Sequence, residues 1–252
     1  MTSAAALLDN PVFSLGPPSA REQLLAHSRL LTLTGGERVL SEGEPAKSIY
    51  ALDAGAVRVF HQTANGDEVS LKLFRSPAIF GEAEAFSGVA FQENVETLEA
   101  SRIVVMPTDA VRAFLRTVPA AAIGFLEDVA ARLAIASYHQ RSLAFNPITM
   151  RLANFLLDYA EWTHDSDDAE WRVALSQDDM ASAIGATRRS IGKDVTAWRK
   201  EGILLRRGSV YLVRQPGQLE RFADPARLRL MYRAAIPGGV DSLQPKRYRT
   251  PR

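Results

Sequence analysis

The chain contains no cysteine in its 252 residues. Disulfide frameworks, zinc–thiolate sites, iron–sulfur clusters and cysteine nucleophiles are thereby excluded. Long apolar runs are missing too: none approaches the ~18 residues of a membrane-spanning helix, so no membrane partner is expected. Met1 to Leu8 has no basic flank and too short an apolar core for a secretory signal, and a cytoplasmic chain is expected. Histidine is scarce, with only His27, His61, His139 and His164. A metal-dependent enzyme of the cupin type needs two or three histidines and a carboxylate around one metal, and the strand-rich part of this chain has only His61. No glycine-rich phosphate loop and no nucleophile elbow is present either. We expect no catalytic residue and no metal.

What is present is a globular composition, 46% hydrophobic and 23% charged, sufficient for a sizeable core. The length suits one or two domains. The net charge of +1 conceals a split: residues 1–146 carry more Asp and Glu than Lys and Arg, and residues 147–252 reverse the balance. Such asymmetry suggests two domains, the second facing a polyanion.

The texture changes along the chain. A Pro-rich segment, Pro11 to Pro18, precedes a short helical pattern, Arg21 to Leu31. From Gly35 to Pro107 short apolar runs alternate with turn residues: Ser48–Leu52, Ala56–Phe60, Val69–Phe74 and Ser101–Met106. Asn65-Gly66-Asp67 between two such runs is a hairpin signal, because both Asn and Gly tolerate positive φ. Many short strands at near-regular spacing predict a β-sandwich or barrel. A long helical pattern follows from Val118 to Phe145, with Pro119 suited to its first turn. In it Leu126, Val129, Leu133, Ala136, Gln140 and Leu143 recur at alternating steps of three and four, which is a coiled-coil seam. We read the narrow seam as a homodimer contact rather than as packing on the chain's own β-domain. Asn146-Pro147 ends the helix and marks a hinge. A second amphipathic helix spans Thr149 to Trp162, and Trp171–Leu175 suits a short strand.

Residues 176–201 are the most informative. Ser176 with Asp179 forms a capping box with Asp in place of Glu, and Met180, Ala183 and Ile184 give the helix behind it an apolar face. Gly185 supplies the left-handed residue of a tight turn, and Thr187 caps a second helix. There Ile191, Val195 and Trp198 face inward, leaving Arg188, Arg189, Ser190 and Lys193 outside at its N-terminal end. This is a helix-turn-helix, which puts the first residues of its second helix into the major groove of double-stranded DNA. Gly202 ends that helix. Ile203–Leu205 and Val210–Val213 then flank Arg206-Arg207-Gly208-Ser209, a hairpin with a basic tip suited to phosphate contact. The DNA-contact set is therefore Ser176, Thr187, Arg188, Arg189, Ser190, Lys193, Arg206 and Arg207.

From about Gly35 to Val213 the chain resembles the Crp/Fnr family of bacterial transcription regulators. Glu42-Gly43-Glu44-Pro45-Ala46, Ser48-Ile49-Tyr50, Gly55–Val59 and Phe80-Gly81-Glu82 stand where a cyclic-nucleotide-binding-type domain has them, and Leu143-Ala144-Phe145 resembles the end of the dimerisation helix. The resemblance implies an α+β chain with four parts. These are an N-terminal antiparallel β-roll (a jelly roll) over 1–117, a dimerisation helix over 118–146, a winged helix-turn-helix over 147–214, and a basic extension over 215–252. It also implies a homodimer with Leu126, Val129, Leu133, Ala136 and Leu143 in its seam, contact with RNA polymerase through the acidic loop Asp165 to Glu170, and a small-molecule effector. Cyclic-nucleotide binders of the family carry Arg-Ser or Arg-Thr after the Gly-Glu pair, where arginine holds the cyclic phosphate. Here residues 76–101 contain no Lys or Arg, and Glu84, Glu93, Glu96 and Glu99 would repel a phosphodiester. We therefore expect no gating by cAMP, and place any effector near Glu82, Asn94, Ala136 and Tyr138. The absence of cysteine excludes the family's iron–sulfur mechanism. Histidine suffices as a haem ligand, so haem sensing stays open, as does a regulator with no effector. Relatives carry a glutamate where Arg189 stands. Arginine cannot accept a hydrogen bond but can donate two to guanine, so a different half-site is expected.

Overall fold

The computed structural model describes residues 10–62, 68–162, 171–227 and 232–233. They divide into two compact units, one running to Arg132 with the Tyr232–Arg233 strand, the other beginning at Leu133. The division falls inside the long helix rather than at Asn146-Pro147.

The first unit is a pair of facing sheets. Its strands are β1 (Arg29–Leu33), β2 (Arg38–Leu40), β3 (Ser48–Ala54), β4 (Ala56–Gln62), β5 (Glu68–Arg75), β6 (Ala78–Phe80), β7 (Asn94–Thr97) and β8 (Ser101–Pro107). One sheet has the order β1-β8-β3-β6, all antiparallel. The other has β5-β4-β7-β2 antiparallel, with the Tyr232–Arg233 strand added parallel to β5 at its edge. The expected hairpin is present, with Val57 opposite Phe74 and Gln62 opposite Glu68; its turn residues, Asn65-Gly66-Asp67, lie outside the described residues. β3 is buried on both faces. Ile49 and Ala51 join a cluster with Val12, Phe13, Leu24, Val104, Met106 and Phe114, supplied by the N-terminal segment, α1 (Pro18–Ala26), β8 and α3 (Thr108–Thr117). On the opposite face Tyr50 stacks on Phe80 at 5.2 Å, and Phe80 meets Phe74 of the second sheet at 6.2 Å. Aromatic rings thus fill the space between the sheets.

One expectation is corrected. The helical pattern read through Leu31 ends at Ala26, and Arg29–Leu33 is strand β1, paired along its length with β8. That partner lies some 70 residues away, and long-range pairing overrides the local periodicity. The short helix α2 (Glu82–Ser87) follows β6, and α4 (Pro119–Phe145) begins at its proline as expected.

The second unit contains the end of α4, then α5 (Ile148–Trp162), β9 (Arg172–Val173), α6 (Gln177–Ala183), α7 (Arg188–Lys200), β10 (Leu204–Arg207), β11 (Val210–Val213) and α8 (Pro216–Leu219). Its core is built from Leu152, Leu156, Leu157, Met180, Ile191, Val195, Trp198 and Leu212, all fully or almost fully buried. Among the described residues no helix is long and apolar enough to cross a membrane.

Candidate functional site

The helix-turn-helix is assembled by local rules. The Ser176 hydroxyl accepts from the Asp179 backbone N–H at 3.1 Å, and Asp179 accepts from the Ser176 N–H at 3.0 Å, so the capping box is reciprocal. Gly185 has φ +61°, and a Cβ there would lie 3.0 Å from the Leu143 side chain. Any larger residue would be strained by conformation and crowded as well. Thr187 accepts from the Ser190 N–H at 3.2 Å and opens α7. Ile191, Val195 and Trp198 are buried, so the opposite face of α7 presents Arg189, Lys193 and Lys200 to solvent.

Three hydrogen bonds with no signature in the sequence hold this pair of helices. Thr149 of α5 donates to Asp194 of α7 at 2.7 Å. Arg151 donates to the Ile184 carbonyl at 2.6 Å, covering the C-terminal end of α6. Gln177 donates to the Tyr211 hydroxyl at 2.9 Å, tying α6 to the wing. Each joins residues more than 30 positions apart, and none belongs to a local pattern.

The residues expected at DNA fall into three groups. Ser176, Thr187 and Ser190 are exposed and spend their hydroxyls on caps: Ser176 donates to Asp179 at 2.7 Å, and Thr187 and Ser190 share a 2.7 Å hydrogen bond. Arg188 pairs with Asp178 at 3.3 Å on the surface, and Arg206 donates to the Gly208 carbonyl at 2.9 Å beside the Tyr211 ring. Arg189, Lys193 and Arg207 are exposed, the first two one helical turn apart on α7. β10 and β11 pair from Leu204↔Val213 to Arg207↔Val210, which confirms the basic hairpin.

The first unit holds a pocket open to solvent. Its apolar wall includes Leu40, Val59, Phe74, Phe80, Phe91 and Val95, and its charged groups are Lys72, Glu82, Glu84, Glu93 and Arg132. Gly81, with φ +77°, makes the turn that puts Glu82 into it. Arg132 bonds to Glu82 at 2.9 Å and to Asp128 at 2.8 Å. Lys72 bonds to Glu93 at 3.0 Å.

Residues 30–118 match the family described as the cyclic nucleotide-binding domain, and residues 150–222 match the Crp-like helix-turn-helix domain. The chain belongs to the Crp/Fnr family of transcription regulators. It is 26% identical over 214 residues to the CRP-like cAMP-activated global transcriptional regulator of Mycobacterium tuberculosis, covering 84% of this chain and 96% of that protein. Its fold is similar to FixK2 from Bradyrhizobium japonicum, with a TM-score of 0.66 at 20% identity over 79% of this chain and 99% of that one. It is also similar to the c-di-GMP-responsive regulator CLP from Xanthomonas campestris, with a TM-score of 0.64 at 20% identity over 78% and 99%.

Of the four residues expected at the pocket of this Crp/Fnr chain, Glu82 lines it. Asn94 is buried as a structural acceptor, taking hydrogen bonds from Arg38 and from the Glu42 backbone. Ala136 is exposed on α4. Tyr138 is engaged elsewhere: its hydroxyl donates to Asp224 at 3.0 Å and accepts from the Asn154 side-chain amide at 2.9 Å. Arg132 escapes a sequence reading because it comes from α4, 50 residues past Glu82, whereas Lys72 stands on β5 just before the segment where the family's arginine is sought.

Of the histidines, His27 bonds to the Gln23 carbonyl of its own helix and His61 lies 3.3 Å from Glu42. His139 has its pKa lowered, first by burial and then by Arg151. His164 and the acidic loop Asp165–Glu170 lie outside the described residues.

Asp224 lies just past the matched helix-turn-helix domain. Besides Tyr138, Asn146 donates to its carboxylate at 3.1 Å, and its own N–H donates to Asn154 at 2.9 Å. Burial alone would raise the Asp224 pKa; hydrogen bonds from the Ala226 N–H, Asn146 and Tyr138, with Arg141 nearby, outweigh it and hold the pKa below its ordinary 3.8. The basic extension thus begins with an anchor joining the end of α4 to α5. Asp224→Ala leaves the buried Tyr138 hydroxyl without its acceptor and is expected to cost about 1–3 kcal/mol in urea unfolding of the second unit. A carboxylate with a depressed folded pKa stabilises above its unfolded value. The difference between wild type and variant should therefore shrink as the pH falls below about 4, and a difference independent of pH would contradict this role.

Proposed function

We propose that this Crp/Fnr regulator acts as a cytoplasmic homodimer on a two-fold symmetric operator, gated by an effector other than cAMP. The observation that carries the DNA reading is the N-terminal face of α7, where Arg189 and Lys193 stand exposed over a buried Ile191-Val195-Trp198 face. Homodimerisation is supported by α4, on which Ile123, Leu126 and Leu133 are 57%, 63% and 67% exposed. Water-exposed leucines repeating along one helix ask for a partner. Polymerase contact is the family's mode of activation and belongs to the acidic loop.

The relative from Mycobacterium tuberculosis is described as cAMP-activated. That property is not carried over, because three glutamates line the pocket and its two cations are already paired with carboxylates. A phosphodiester finds no free arginine fork there.

Arg189 tests the DNA reading. Arg189→Ala should cost about 1–3 kcal/mol on the preferred operator and relax specificity at one base pair per half-site, a guanine. Arg207→Ala should weaken all sequences alike and lower the salt slope by about one for each phosphate that the arginine neutralises. Selection from random duplexes, followed by binding at several salt concentrations, separates the two. An unchanged consensus for Arg189→Ala would reassign base reading to Arg188 and Lys193.

A further inference from the structure

The lining of the first unit's pocket bears on the class of ligand that it takes. Resting on the reading that this pocket is the effector site, we infer that it takes a small organic cation, an amine carried on an apolar body.

The charges come first. Lys72 is held by both carboxylate oxygens of Glu93, at 3.0 and 3.2 Å. Arg132 is held by Glu82 Oε1 and Asp128. The lining cations are thus already matched by carboxylates, and acidic capacity is left over. Glu82 is only 7% exposed, and its second oxygen, Oε2, is buried with no hydrogen-bond partner among the described residues. A buried carboxylate oxygen without a donor is unfavourable, and it marks the place where a donor belongs. Glu84 lines the same pocket, and its pKa is raised by burial and by the neighbouring charges of Glu93 and Glu82. Positive charge entering here relieves that repulsion.

The body of the ligand follows from the walls. Phe74, Phe80 and Phe91 present aromatic carbon, and Leu40, Val59 and Val95 complete an apolar lining. Those walls suit an aromatic ring carrying a short side chain. An ammonium at the end of that chain donates to Glu82 Oε2 and balances the surplus carboxylate, while the ring replaces water on the phenylalanine faces. A neutral alcohol supplies the donor without the charge. A carboxylate or phosphate of the same size meets Glu82, Glu84 and Glu93 with repulsion.

The test uses the full chain and four probes in calorimetry: 2-phenylethylamine, 2-phenylethanol, phenylacetate and cAMP. The amine should bind at least about tenfold more tightly than the alcohol, with no binding of phenylacetate or cAMP. Glu82→Gln should weaken the amine about tenfold and leave the alcohol nearly unchanged. Because Glu82 also partners Arg132, Glu84→Gln is the second variant; it removes charge from a residue with no role in that pair, and should weaken the amine alone. Absence of amine binding, equal affinity for amine and alcohol, or preference for phenylacetate overturns the inference. If cAMP also fails to bind and operator affinity is intact, the reading of the pocket as closed to cyclic nucleotides survives that failure. Tight binding of cAMP overturns that reading itself.

Discussion

Replacing Trp198 by alanine is expected to lower the melting temperature of the second unit by roughly 15 °C or more while leaving the transition of the first unit in place. The indole is 2% exposed and is the largest fully buried side chain among the described residues. It lies on the inner face of α7 behind Ile191 and Val195, with its ring centroid 5.4 Å from that of Phe222. Its backbone carbonyl accepts from the Ile203 N–H at 2.9 Å, where the chain turns from α7 into the wing. Truncation leaves a cavity under the recognition helix, and large-to-small changes of this kind cost about 3–5 kcal/mol. In a unit of this size each kcal/mol shifts the midpoint by roughly 4–8 °C. The Thr149–Asp194 hydrogen bond would still tie α7 to α5, but one such bond contributes far less than the buried indole. Calorimetry of the full chain resolves the question, because the two units have separate cores. A shift shared by both transitions, or no shift, would show that Trp198 is not the centre of the DNA-binding core. Operator binding should be retained at low temperature and disappear at the new midpoint.

The parts legible in the sequence are those fixed by near neighbours. The Ser176–Asp179 capping box, Gly185 with positive φ, the Thr187 cap and the Ile191-Val195-Trp198 face all lie within 23 consecutive residues, and each satisfies a rule of one helical turn. The longer strands β3, β4, β5 and β8 are legible for the same reason. β2, β6 and β7 are only three or four residues long, too short for a period to register, and β1 is recruited by β8 from across the unit. The pocket illustrates the general difficulty. Its Gly81-Glu82 is readable, but Arg132 reaches Glu82 from 50 residues further along. Tyr138 follows the same logic: its position on α4 is visible in sequence, whereas its acceptor, Asp224, lies 86 residues away. On α4 itself, apolar residues occur around much of the circumference, so a period of three and four fixes the helix but not the face. Val129, read as part of the seam, packs partly against the core of the first unit. Ile123, outside the expected seam, is exposed together with Leu126 and Leu133.

The face of α4 therefore sets the other large effect. Leu133→Asp should convert the protein from dimer to monomer in sedimentation and reduce affinity for the two-fold operator by about 10³-fold. Leu133 is 67% exposed, so aspartate creates no cavity in the chain's own core, and the folded monomer should retain its stability. In the dimer, by contrast, two charges would be buried opposite each other in an apolar seam, which costs more than the leucine packing they replace. The consequence for DNA follows from linkage. A dimer binds its second half-site intramolecularly, at an effective concentration in the millimolar range, and a monomer forfeits that advantage along with half of the DNA interface. Half-site centres should stand about one helical turn, roughly 34 Å, apart, because two recognition helices must enter successive major grooves on one face. Binding of the variant to a single half-site should match the wild-type value for that half-site, since Arg189 and Lys193 remain exposed on α7. A Leu133→Asp protein that stays dimeric places the interface elsewhere. A monomer that keeps full operator affinity shows that each chain binds DNA independently, and the two-fold operator would then be wrong even though the interface was right.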